Sequence, residues 1–258
     1  MDLHDLRRRW PAGTMRIHGE ELEVVRTDGG GVPVLLLPGA QGTAEIWFHQ
    51  LLAWGDRRTL VAVTYPALTD GAALADAVIA VADAIGAPRV DLVGTSLGGY
   101  VAQWAAVRHP QRIGRLVIGN SFCDPAPAQS PEKRQALESR APQAVKDEAL
   151  ARLRAGPDTP LKAVQLELVG HRQSAELLHA RMLAVQLAQR VPALGVDDER
   201  ILVLECDDDP LIPPPMRAAL REAHPRARHV ALPVGGHFPY VTQAAAYNAS
   251  VGAFLDLA

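Results

Sequence analysis

Of the six serines in this 258-residue chain, Ser96 alone is framed as Gly94-Thr95-Ser96-Leu97-Gly98. With 21 glycines present, Gly-x-Ser-x-Gly is expected by chance only about 0.04 times. The pattern suits a nucleophilic hydroxyl held on a sharp bend between a strand and a helix. Side chains at positions 94 and 98 would collide across that bend, and Gly99 leaves room for the helix to approach a sheet. A helix that starts beneath Ser96 also favours negative charge developing there.

A serine hydroxyl needs a general base, and the base needs an acid to orient it. The base expected here is His237, in Leu232-Pro233-Val234-Gly235-Gly236-His237-Phe238-Pro239, where two glycines let a loop swing the ring over Ser96. His171 and His179 fall in helical stretches, and His4, His18, His49, His109, His224 and His229 join no constellation. The acid should lie just past a buried strand, where Cys206-Asp207-Asp208-Asp209-Pro210-Leu211-Ile212-Pro213 offers three aspartates. Asp209 stands four residues before Pro213 in a D-x-x-I-P pattern and is the first choice; Asp208 is the second.

Acyl chemistry at Ser96 also requires two N–H groups aimed at the oxyanion of a tetrahedral intermediate. One should be the amide of Leu97, directly after the nucleophile. The other should come from Pro38-Gly39-Ala40-Gln41-Gly42, with Ala40 as the expected donor and Gln41 as an alternative. Trp47, Phe122 and Phe238, with Leu166 or Met182, are candidates for an apolar substrate pocket. No H-E-x-x-H or paired metal-ligand spacing occurs, so neither a metal nor a cofactor is expected.

These residues must be positioned by a sheet. Thr14–His18 and Leu22–Thr27 read as a hairpin, and Val32–Leu37 as a strand buried on both faces. Strands then alternate with helices: Thr43–Trp54 helix, Thr59–Thr64 strand, Asp70–Ile85 helix, Val90–Gly94 strand, Leu97–His109 helix, Arg115–Gly119 strand. The rhythm resumes with strand Ile201–Glu205, helix Pro215–Ala223, strand His229–Leu232 and helix Ala244–Leu257. Such alternation implies βαβ units and a parallel sheet. Between them, about 123–199, no strand pattern appears. Helices are expected there over Pro131–Ser139, Pro142–Arg154, Leu161–Val169 and Ala175–Arg190, with Ser130-Pro131 and Thr159-Pro160 as cap-plus-proline starts. The whole chain, 1–258, reads as one α/β domain in which this segment forms a helical cap over the sheet.

Composition limits the function. A net charge of −3 and no basic stripe argue against nucleic acid as a partner. Arg7-Arg8-Arg9 reads as a solvated helix end. No apolar run reaches the roughly 20 residues of a membrane span, and MDLHDLRRRWPAG lacks the apolar core of a signal peptide. The two cysteines, Cys123 and Cys206, form no C-x-x-C pattern. They read as reduced thiols of a cytoplasmic protein.

Together these segments resemble the α/β-hydrolase superfamily over essentially the whole chain. Gly42-Thr43-Ala44-Glu45-Ile46-Trp47, Gly94–Tyr100 with Ala102-Gln103, Asn120-Ser121-Phe122 and Gly235-Gly236-His237-Phe238-Pro239-Tyr240 resemble its maspardin branch more closely. The resemblance implies a mostly parallel eight-stranded sheet flanked by helices, and the order Ser96…Asp209…His237 fits it. Many relatives have His-Gly where this chain has Pro38-Gly39. Maspardin is regarded as a binding protein with Asn at the position matching His237; this chain keeps the histidine, which favours catalysis. The expected activity is hydrolysis of an ester or related acyl bond in a small, partly apolar substrate by a monomer or homodimer. The rivals are a maspardin-like pseudoenzyme or protein-binding module, and acyl transfer or a lyase reaction on the same triad. Serine rather than aspartate at 96 argues against dehalogenase and epoxide hydrolase chemistry. Because the base must be neutral, the rate should fall as pH drops through the imidazole range, about 6 to 7.

Overall fold

The computed structural model describes residues 2–17 and 19–257. Among these, eight strands form one sheet: β1 (Gly13–Ile17), β2 (Glu20–Arg26), β3 (Val34–Leu37), β4 (Leu60–Val63), β5 (Val90–Thr95), β6 (Ile113–Gly119), β7 (Ile201–Cys206) and β8 (Arg228–Leu232). Their order is β1-β2-β4-β3-β5-β6-β7-β8. β2 runs antiparallel to both β1 and β4, and every later pairing is parallel. His18, expected at the end of the first strand, lies outside the described residues.

The central strands are apolar on both faces because helices cover both. Leu35, Leu37, Leu92, Leu116, Ile118, Ile201 and Val203 pack on the side of α3 (Gly71–Ala84), α4 (Leu97–Arg108) and α9 (Pro214–Ala223). The alternate residues Val34, Leu36, Val93, Val117, Leu202 and Leu204 face α1 (Leu3–Arg9), α2 (Phe48–Trp54) and α11 (Ala244–Leu255). This two-residue alternation is what a pleated strand imposes. A single turn, α10 (Pro239–Thr242), precedes α11.

Between β6 and β7 stand α5 (Pro131–Glu138), α6 (Pro142–Ala155), α7 (Pro160–Glu167) and α8 (Ala175–Leu187). Two of their starts are the expected ones: Ser130 Oγ accepts the Lys133 amide at 3.0 Å, and Thr159 Oγ1 accepts that of Lys162 at 3.0 Å. The insertion has a small core of its own, Leu150, Val169 and Leu178 with Leu166 and Met182 alongside.

Several local readings differ from the sequence expectation. The helix expected over Thr43–Trp54 is a 3-10 turn, Ala44–Trp47, followed by α2. The helix expected over Leu161–Val169 passes into a π-helical turn at Leu168–Arg172. Arg7 is not simply a solvated helix end. It donates to the buried Glu45 carboxylate (2.6 Å) and to Glu167 of α7 (2.8 Å), while Arg172 reaches both Glu45 (3.3 Å) and Glu23 (2.7 Å). A helix-end arginine has the reach to leave solvent when a carboxylate is buried nearby. Among the described residues, no helix is long and apolar enough to cross a membrane.

Candidate active site

β5 ends at Thr95, and the chain reverses at Ser96 with φ 53° and ψ −122°. This conformation is unfavourable for a residue with a Cβ, by roughly 1–3 kcal/mol, so its surroundings must hold it. They do so with hydrogen bonds from Ser96 N to Gly119 O (3.0 Å), from Ser121 Oγ to Ser96 O (2.7 Å) and from Tyr100 N to Ser96 O (3.1 Å). The bend is packed so closely that a Cβ on Gly98 would lie 2.0 Å from Leu37 O, and one on Gly94 2.2 Å from Gly98 O. Ser96 therefore projects from the C-terminal edge of the sheet, the end where open α/β sheets place their ligands.

Two of the three aspartates after β7 have separate tasks. Asp209 accepts the His237 Nδ1 hydrogen at 2.9 Å (Oδ2) and 3.1 Å (Oδ1). Its oxygens also accept Leu211 N (2.8 Å), Ile212 N (3.2 Å) and Asn120 Nδ2 (2.8 Å). Asp208 instead accepts Gly235 N (3.2 Å) and Gly236 N (2.8 Å), anchoring the loop that carries the histidine. Burial pushes the Asp209 carboxyl up, but the His237 hydrogen bond and charge, with Asn120 and the Leu211 amide, outweigh it and hold the group below its ordinary value. The ion-pair geometry fixes the ring so that Nε2 is the nitrogen without a protein partner. The ring packs edge-on against Phe238, with centroids 5.2 Å apart.

Asn120, whose type and position carry no signal for a role of their own, ties this arrangement together. It follows β6 with φ +40°, a region Asn tolerates better than most residues. From there Nδ2 reaches both Asp209 and the Gly236 carbonyl (3.0 Å).

Gly39 and Ala40 lie across from the serine; a Cβ on Gly39 would sit 3.3 Å from Ser96 Cβ. Neither the Ala40 nor the Leu97 amide donates to an acceptor among the described residues. Helix-start amides such as that of Leu97 are left open by helix geometry itself. The loop is held from the insertion. Arg181 of α8 has 0% exposure and donates to Gly42 O at 2.7 Å. With its amide oxygen turned to Arg181, Gln173 donates to Gln41 O at 3.2 Å. No carboxylate pairs with Arg181 among the described residues, and burial pulls its guanidinium down to about 10. A helical arginine carries no sequence signal for such a role.

Ser96 and His237 both line one cavity of about 600 Å³, together with Ala40, Gln41, Phe122 and Phe238. Ser96 Oγ makes no hydrogen bond with the imidazole in this arrangement; such pairs commonly tighten only around substrate. Met182 joins the wall, whereas Leu166 packs inside the insertion. Trp47 is a correction: it is fully buried behind Tyr240, ring centroids 4.6 Å apart, and Tyr240 takes the place at the wall.

An aspartate and a histidine from the loops after β7 and β8 thus meet near a strained serine after β5, in a mostly parallel eight-stranded sheet flanked by helices. The sequence matches the alpha/beta hydrolase family over residues 34–250, and the chain belongs to that family. It is similar to maspardin from Homo sapiens, 28% identical over 226 residues, which cover 84% of this chain and 72% of maspardin. Its structure is similar to an enol-lactonase from Burkholderia xenovorans LB400 (TM-score 0.77, 19% identity, 95% of this chain and 100% of that one). It is similar also to a thermophilic esterase from Thermogutta terrifontis (TM-score 0.75, 21% identity, 95% and 98%). At these identities the structural likeness establishes the fold.

Proposed function

We propose that this α/β-hydrolase cleaves an ester or related acyl bond of a small, partly apolar substrate, with Ser96 as nucleophile, His237 as general base and Asp209 as the orienting acid. The observation that carries the reading is the Asp209–His237 pair, hydrogen-bonded through Nδ1, on the wall of the cavity that also holds Ser96. His237 Nε2 takes the Ser96 proton as Oγ bonds to the acyl carbon, and the electron pair of the C=O moves onto oxygen. The Leu97 and Ala40 amides receive that oxyanion; each such donor is typically worth about 10²–10³ in rate. Collapse expels the alcohol, which takes the proton from His237, and water repeats the sequence to release the acid. The α5–α8 insertion serves as the cap of one catalytic domain, and its Arg181 and Gln173 contacts shape the oxyanion loop. The free, buried Cys123 and Cys206 are in keeping with a cytoplasmic setting.

Only the neutral imidazole can accept the serine proton, so hydrolysis is lost once His237 is protonated. Turnover of p-nitrophenyl esters of rising acyl length tests the reading and sizes the cavity. Saturable hydrolysis with an optimum at short to medium chains, lost in Ser96→Ala, is expected. A folded protein that hydrolyses none of the series would favour a binding role, the reading that likeness to maspardin keeps as the alternative.

A further inference from the structure

The cavity beside Ser96 is uneven in character. Around the serine and histidine it is apolar, with Phe122, Ile212, Met216 and Phe238. Among the described residues, Lys133 of α5 and Arg152 of α6 are the charged side chains on the side of the insertion, and no Asp or Glu joins the wall. An adjoining pocket of about 430 Å³ shares Gln41, Lys133, Arg152, Met182 and Gln186 and adds Arg140 and a single carboxylate, Glu148. That carboxylate is engaged by both Arg140 and Arg152. Asp209 is engaged by His237. Lys133 Nζ has no ion-pair or hydrogen-bond partner among the described residues, and Arg181, buried behind Gln41-Gly42, has no carboxylate either. Cationic charge thus exceeds anionic charge along this side, next to a low-dielectric apolar chamber. Such a wall concentrates anions and strengthens a hydrogen bond to one.

We propose that the substrate carries a free carboxylate remote from the acyl bond that is cut, received by Lys133 with Arg152 beside it. A half-ester of a dicarboxylic acid is the simplest member of this class. The inference rests on the hydrolase reading for the place of the scissile bond, while the carboxylate site itself is read from the wall. An apolar spacer lies along Phe122, Met216 and Phe238, and the anion meets the insertion. Lys133 and Arg152 are exposed at the rim of the cavity, so specificity follows from attraction of the anion to this cationic side rather than from a desolvated charge.

The test separates the carboxylate site from catalysis. Calorimetry on Ser96→Ala protein compares monomethyl adipate with dimethyl adipate, which differ by one negative charge and one methyl group. The half-ester should bind about tenfold more tightly or better, as for a charge-assisted hydrogen bond. The preference should shrink in high salt. In Ser96→Ala/Lys133→Met it should collapse toward one, and in Ser96→Ala/Lys133→Glu it should invert. Arg226→Met in the same background removes an equal charge from an exposed site away from the cavity and should keep the preference. Equal binding of the two esters, or an unchanged preference in the Lys133→Met protein, overturns the proposal. Hydrolysis by the parent protein is scored separately: turnover without a charge preference retains the hydrolase and rejects the carboxylate, and a preference without turnover does the reverse.

Discussion

At the elbow, the sharp bend at Ser96 is written in five consecutive residues, whereas in the helical insertion the important contacts join residues far apart in the chain. Gly94 and Gly98 let the bend close tightly, with Leu37, Gly119 and Ser121 packed or hydrogen-bonded against it. Arg181 reaches Gly42 across 139 positions, Arg172 reaches Glu23 across 149, and Arg7 reaches Glu167 across 160. The serine is thus placed mainly by close packing at the bend, and the loop opposite it by polar contacts from the helical insertion. Half of the proposed machinery should survive changes in the insertion, and the oxyanion loop should not.

The largest expected effect lies on the sheet side, between two neighbours. Asp209→Asn should lower kcat by roughly 10³–10⁴, since it disturbs the tautomer and charge of the base. Asp208→Asn should cost only about tenfold, through looser placement of the His237 loop. Steady-state kinetics on both variants checks the division; equal losses would erase it. Next comes the insertion. Arg181→Met should lower kcat for a neutral ester by about 10–10² with a smaller change in KM, because it frees the Gly42 carbonyl and lets the oxyanion donor drift. Arg181→Lys should recover part of the loss, and an unaffected kcat would show that the loop holds itself.

Two smaller effects sharpen the contrast between scaffold and insertion. Burial lowers the His224 imidazole, against the pull of Asp198. The unfolded chain, titrating near ~6.5, therefore binds that proton more readily than the folded one. The resulting stability is complete above that pH and is lost as pH falls through the lowered folded value. Urea unfolding should show a fall in stability on acidification that is shallower in His224→Asn, with ester turnover at pH above neutrality unchanged. Burial also raises the Cys123 thiol, and pushes that of Cys206 up to about 11. Both should react slowly with a disulfide reagent in the native protein. Cys123, at the root of the insertion, should react before Cys206, which lies beneath the histidine loop; the reverse order would place the mobile side on the sheet.

What the sequence made legible follows the same division. The elbow, the strands around it and the order of serine, aspartate and histidine could be read because each is written in a short run of residue types. The apolar runs of β3, β5 and β7 mark strands buried on two faces, and Ser130-Pro131 marks a helix start. The Asp208–Asp209 division is legible only as a ranking through D-x-x-I-P, because one residue of register decides which carboxylate faces the ring, and the anchoring task of Asp208 carries no signal. Trp47 suited core and cavity equally by type, and only the packing of Tyr240 in front of it decides. Arg7 reads as solvated and Arg181 carries no signal because an arginine's destination depends on carbonyls and carboxylates far along the chain, 38 and 160 positions away for Arg7 and 139 for Arg181. Asn120 carries a role only because its positive φ turns the amide toward Asp209.

The central claim is that Ser96 is a nucleophile activated by His237, and covalent capture tests it most directly. Incubation with a fluorophosphonate followed by intact-mass measurement should show one adduct per chain in the parent protein. Peptide mapping should place it on Ser96, with labelling abolished in Ser96→Ala and strongly slowed in His237→Ala. A correctly folded parent protein that stays unlabelled, or is labelled at another residue, would contradict the account.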